Sequence, residues 1–226
     1  MRTFVEIINL NTMELVITFL LVIHISGGMS GLISGVLNIA NKKGGKYHHL
    51  FGKIYVGSMF TATLSGIILA LVRENSFLFL IGVFSFYLAF SGYRTLSHKK
   101  ADDSGVYKFI DYFIALITLV FAIVMLVNGV GMNANGNLSF NLLLLIFGSV
   151  SLVYSAGDLL VFRGLRRLKN VKYHWFFNHI IRMMASYISA VTAFLVVNIT
   201  FLPALVVWLS PGIVGSIVIT VFIRKY

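Results

Sequence analysis

The sequence predicts an all-α integral membrane protein: a seven-transmembrane helix bundle, N-terminus outside and C-terminus cytoplasmic. Three observations lead there. Of 226 residues, 58% are hydrophobic and only 11% are charged, whereas a soluble domain carries about a quarter charged residues. Seven apolar runs are each long enough to cross a bilayer, which takes about 20 residues. The Lys and Arg residues between them fall almost entirely on alternate sides.

The predicted spans are 15–40, 47–72, 77–96, 107–129, 140–162, 175–198 and 203–223, joined by short linkers within a single transmembrane domain over 1–226. Fifteen basic residues lie on one side, among them Lys42, Lys43, Lys46, Lys53, Arg94, Lys99, Lys100, Lys108, Arg163 and Arg224; Arg2 and Arg73 alone lie on the other. The positive side is the cytoplasmic side. That places the N-terminus outside and requires an odd number of spans, as seven is. The segment MRTFVEIINLNTME carries Glu6 and Glu14 and lacks a small-residue cleavage site, so it is not expected to be a cleaved leader.

Composition also excludes several classes of function. There are no cysteines, hence no disulfide, thiolate metal site or Cys nucleophile. The net charge of +11 is dispersed between apolar runs rather than gathered on a face, so no nucleic-acid partner is expected. The expected partner is the lipid bilayer. Nucleophile-elbow, phosphate-loop and dinucleotide fingerprints are absent.

The first span carries two small-residue ladders, Gly27, Gly31, Gly35 and Ser26, Ser30, Ser34. Such spacing lets helix backbones approach closely where lipid supplies no hydrophobic drive. His24 shares that face and reads as an interhelical hydrogen-bonding contact. The second span opens KGGKYHHLFGKIY, with Gly44 and Gly45 in a turn and His48 and His49 at the membrane boundary. The third ends in Tyr93, Arg94 and His98 amid Phe and Tyr, the composition of an aromatic belt. In the fourth, Asp111 lies one turn inside the helix, where the dipole favours a carboxylate. In the fifth, Asp158 lies about one turn before the C-terminal end, sharing a face with Ser151, Tyr154 and Ser155. There the dipole disfavours a carboxylate unless a cation or metal answers it. Arg163 and Arg166 are local candidates. The outer loop GMNANGN reads as a flexible turn. Pro203 opens the last span, and Pro211 and Gly212 are expected to kink it.

The sixth apolar run, Val171 to Asn198, carries His174, His179 and Arg182 in its first half. Ionisable groups inside a span face protein or a wet cavity. Placed by depth at 1.5 Å per residue, His48, His49, Asp111, Asp158, His179 and Arg182 converge near the cytoplasmic membrane surface as a ligand pocket for a small molecule or ion. Imidazoles and carboxylates suit a divalent metal such as zinc, with His48, Asp158 and His179 as candidate ligands. The five-residue step from His174 to His179 turns the rings apart and differs from HExxH. Haem b held by His48 or His49 with His179 is a further geometry. Four readings stand: a metal-binding, hydrolytic pocket, a proton-coupled transporter, a haem-b electron carrier, and a non-catalytic membrane subunit with interhelical ion pairs.

The stretch HISGGMSGLISGVLNIANKKGGKYHHLFGKIY resembles the opening of a bacterial membrane-protein family catalogued as domain of unknown function 2306. The match rests on His24, Gly28, Lys43, Gly44, Gly45, His48, Gly52, Lys53 and Tyr55, with His49 where the family often has Arg. HIIRMMASYISAVTAFLVVN is similar to a second block through His179, Met183, Ser186, Tyr187, Thr192, Ala193 and Asn198. The resemblance covers about a quarter of the chain. It implies a multi-span bacterial inner-membrane protein and brings no activity with it.

Overall fold

A computed structural model describes residues 4–98, 107–131, 138–165 and 171–224. Among these residues all regular structure is helical: α1 (Phe4–Ala40), α2 (Lys46–Val72), α3 (Ser76–Arg94) continued by a 3₁₀ turn (Thr95–Ser97), α4 (Phe109–Val130), α5 (Leu138–Phe162), α6 (Val171–Asn198) and α7 (Ala204–Ile223). Seven helices among the described residues are long and apolar enough to span a membrane. The chain is a multi-pass membrane protein set in a lipid bilayer. Most helix ends fall within two residues of the predicted spans. Two helices start earlier. The backbone of α1 is helical from Phe4, because no Pro or Gly interrupts the chain before Gly27. α6 starts at Val171, so His179 and Arg182 lie roughly two and three turns inside it. Lys99, Lys100, Arg166, Arg167, Lys169, the loop core 132–137, Arg2, Lys225 and Tyr226 lie outside the described residues.

The chain divides into two compact units, Met1–Gly82 and Val83–Tyr226. In the first, α1 packs along α2. The glycine ladder forms the seam: Gly27, Gly31, Gly35 and Ser34 are buried. A methyl on Gly27 would fall 3.1 Å from the Ala62 nitrogen and 3.2 Å from the Ser58 carbonyl oxygen, so any larger residue would part the helices. His24 extends the seam. Its Nδ1 lies 2.8 Å from the Ala62 carbonyl oxygen, and Gly66 makes room for the ring, since a methyl there would sit 3.0 Å from His24 Cε1. Ser58 Oγ donates to Ser30 Oγ at 2.8 Å. These are the polar interhelical contacts that a membrane-buried seam uses in place of hydrophobic drive.

Between α1 and α2 the chain reverses at Gly44, whose φ of +74° needs glycine. Lys43 Nζ donates to the Asn38 and Ile39 carbonyls at 3.0 and 2.8 Å, satisfying the end of α1 with a cation where the helix dipole is negative. Partial burial pulls the Lys43 ammonium below its ordinary pKa. His48 and His49 lie in the first turn of α2 with ring centroids 6.0 Å apart.

In the second unit α4 pairs with α5 and α6 with α7. Gly129 and Gly148 set the first pair close. Methyls there would meet Leu145 Cγ at 2.8 Å and Met125 Cβ at 3.0 Å. Phe147 of α5 packs between Phe84 of α3 and Trp208 of α7, with centroids 5.4 and 6.0 Å away. α5 ends in a Schellman turn, with Leu165 N–H donating to Leu160 and Gly164 N–H to Val161. α7 is continuous through Pro211, with Pro203 at its N-cap.

Candidate functional site

The site belongs to the second unit and is built from one end of four helices: the C-terminal ends of α3 and α5 and the N-terminal ends of α4 and α6. α3 supplies a polar stripe at helical spacing, Tyr87, Ser91, Arg94 and Thr95, that continues through the 3₁₀ turn to His98. Gly92 brings this stripe against α6: a methyl on it would lie 3.0 Å from Arg182 Cβ and 3.1 Å from the Met183 nitrogen. The Gly92 carbonyl accepts from Thr95 Oγ1 at 2.7 Å and lies 2.9 Å from His179 Nδ1. His179 is thereby a contact between α6 and α3.

Asp158 is answered by α6. Arg182 Nη1 and Nη2 donate to its two carboxylate oxygens at 2.5 and 2.6 Å, and the Tyr87 hydroxyl donates to Oδ2. The guanidinium also stacks over Tyr154, 5.2 Å from the ring centroid. Arg182 is only 5% exposed. A planar fork matched to a carboxylate and laid on an aromatic face is a task for Arg rather than Lys. The cation that the α5 dipole demanded thus comes from a neighbouring helix. Arg163 is exposed, and Arg166 lies outside the described residues.

Asp111 makes a second such pair. Arg94 Nε and Nη2 donate to its two oxygens at 2.7 and 2.6 Å. The Lys108 backbone N–H donates to Oδ2 at 2.9 Å, so the carboxylate also caps α4. His98 Nε2 stands 3.6 Å from Oδ2, beyond hydrogen-bonding distance. An aromatic wall closes this side. Phe162 packs against Tyr107, Tyr112 and His98 with centroids 4.5, 5.3 and 5.9 Å away. Tyr112 donates its hydroxyl to the Phe162 carbonyl at 2.6 Å. Burial pushes the Tyr107 phenol above its ordinary pKa, and the Asp158 charge adds to it.

Between the two pairs lies a recess of about 30 Å³, bordered by Ser91, Arg94, His98, Asp111, Asp158, His174, Trp175, Asn178 and Arg182 among others. That is room for one or two water-sized species. Three buried polar atoms on its lining have no hydrogen-bond partner among the described residues: Ser91 Oγ, His98 Nε2 and Arg182 Nε.

Of the six residues expected to form a pocket, Asp111, Asp158 and Arg182 line this recess. His179 instead holds the Gly92 carbonyl. His48 and His49 belong to the first unit. Among the described residues no three His, Asp or Glu side chains stand close enough to hold a metal ion. Both recess carboxylates have their oxygens directed at guanidinium groups, so a cation there would have to displace an arginine.

Sequence reasoning missed Tyr87, Ser91, Arg94 and His98 as members of the site. The signal was present: in FSFYLAFSGYRTLSH the polar residues recur at steps of four, three and four, marking one face of α3. It was masked by the Phe and Tyr content, which reads equally as a membrane-interface belt. No family model, curated protein or solved structure matches the chain.

Proposed function

We propose that the chain is a proton-linked carrier of a small polar solute in the bacterial inner membrane. Its N-terminus is outside, its C-terminus and basic loops are cytoplasmic, and it is akin to the membrane-protein family that its His24–Tyr55 stretch resembles. The observation that carries this reading is the Asp158 carboxylate, held by Arg182 and Tyr87 beside a polar recess inside a membrane-spanning unit. Charged groups at membrane depth are costly and mark proton and solute paths. A proton on Asp158 removes the anionic half of the pair and leaves the Arg182 cation to be neutralised by solute. Deprotonation restores the pair and weakens the hold of Arg182 on the solute. Asp158 is the proton-binding group, Arg182 the solute-binding group, and Tyr87 orients the carboxylate.

Proteoliposomes containing a trapped pH indicator test this. An imposed proton gradient should dissipate faster than in protein-free vesicles when solute is present, and Asp158→Asn should abolish the difference. Dissipation equal to that of empty vesicles, or unchanged in Asp158→Asn, overturns it.

A second reading is favoured by the completeness of both bidentate pairs: the charges are interhelical connectors in a non-catalytic subunit. On that reading Asp158→Asn lowers thermal stability, and no protein-dependent flux exists to lose.

A further inference from the structure

We infer that the recess of the second unit is a binding site for a small monovalent anion of halide size. Two polar atoms are left unanswered by the fold. Ser91 Oγ and Arg182 Nε are buried without a hydrogen-bond partner among the described residues, and both side chains border the same recess. Ser91 and Arg182 are 7% and 5% exposed. A buried donor without an acceptor is expensive, and native interiors answer such groups with a partner, a water or an ion.

The two atoms share a sign. Arg182 Nε–H can only donate. Ser91 has a hydroxyl proton to give. His98 Nε2 faces Asp111 Oδ2 at 3.6 Å and is left to that carboxylate. The occupant that satisfies both Ser91 and Arg182 is therefore a hydrogen-bond acceptor.

Charge points the same way. Each carboxylate on the recess wall is already closed by an arginine, Asp111 by Arg94 and Asp158 by Arg182. Among the described residues no uncommitted acid borders the recess, so none of them repels an anion. Size then limits the ligand. About 30 Å³ admits a halide or one or two waters and excludes a phosphate ester or a metabolite. The inference rests on the carrier reading only for the recess as a binding site, and it names the class of solute.

Trp175 borders the recess and supplies the test. The chain has two tryptophans, so Trp208→Phe leaves Trp175 as the sole indole. The full-length protein in detergent is titrated with sodium bromide against sodium gluconate at constant ionic strength, following fluorescence. A bound halide gives quenching that saturates, that chloride displaces, and that weakens about tenfold in Ser91→Ala. Quenching that rises linearly with bromide and ignores chloride overturns the inference and leaves the recess to water alone. That readout needs only the Trp208→Phe protein, so the result stands even if Ser91→Ala fails to fold. Saturable quenching without proton flux would retain the anion site and discard the carrier; proton flux with linear quenching would do the reverse.

Discussion

Arg182 on α6 closes both carboxylate oxygens of Asp158 on α5, at 2.5 and 2.6 Å. Because the pair is buried, its two members are worth far less singly than together. Arg182→Met or Asp158→Leu alone strands the other charge and should destabilise the protein by about 3–5 kcal/mol. The double variant should recover most of that loss. Thermal melting of all four proteins in one detergent gives the coupling; losses that simply add would mean that the pair does not interact.

Arg94 and Asp111 should be equally intolerant of a conservative change. Arg94→Lys keeps the charge but gives up the two-pronged bond, and Asp111→Asn keeps the shape but gives up the charge that caps α4. Each should cost about 1.5–3 kcal/mol. A melting temperature within error of the parent for Arg94→Lys would show that a point charge suffices.

Gly92 should be irreplaceable by alanine. Its absent side chain lets α3 reach Arg182 Cβ and the Met183 backbone, and an inserted methyl should cost about 1–3 kcal/mol through overpacking. Gly212 offers the control, since a methyl there meets nothing within 4 Å. Gly212→Ala should leave the melting temperature nearly unchanged or raise it slightly.

Tyr107 makes the fold sensitive to alkali. Its folded-state pKa is raised, so the unfolded chain gives up this proton first. The contribution is intact below the ordinary tyrosine pKa of about 10 and is lost as pH rises through the folded value. Melting curves at increasing alkaline pH should fall more steeply for the parent than for Tyr107→Phe. Parallel curves would contradict the burial of the phenol.

Chelation should leave the second unit unaffected. Both carboxylates already answer guanidinium groups, so overnight exposure to a chelator should not move the melting temperature. A stoichiometric metal in the purified protein, with destabilisation on its removal, would reinstate the metal reading of Asp158 and His179.

The helices were legible in the sequence because a bilayer imposes length and apolarity on each span separately, and both are local properties. The glycine ladder and the face of His24 were legible for the same reason, since periodicity within one helix reveals them. The α5 dipole asks for a cation or a metal at Asp158, and the sequence could not say which, or from which helix it would come. Arg163 and Arg166 were nearer in the chain, and the answer came from Arg182 of α6. Arg94 was harder still. Counted among the loop charges that set orientation, it lies inside the unit, 16% exposed along its side chain and paired with Asp111. Face and depth can be read from one helix at a time, whereas which helices stand side by side is a tertiary property that the sequence does not supply.

The principal helix pairs, α1 with α2, α4 with α5 and α6 with α7, are all neighbours along the chain. Their contacts span short stretches of sequence, which favours rapid and sequential folding. Each hairpin can close as soon as its second helix leaves the translocation machinery. Arg94 with Asp111 then joins α3 to α4, and Asp158 with Arg182 joins α5 to α6. The ion pairs are thus the stitches between pieces made separately during synthesis. A variant lacking one should show its defect first as delayed maturation and early proteolysis of the nascent chain.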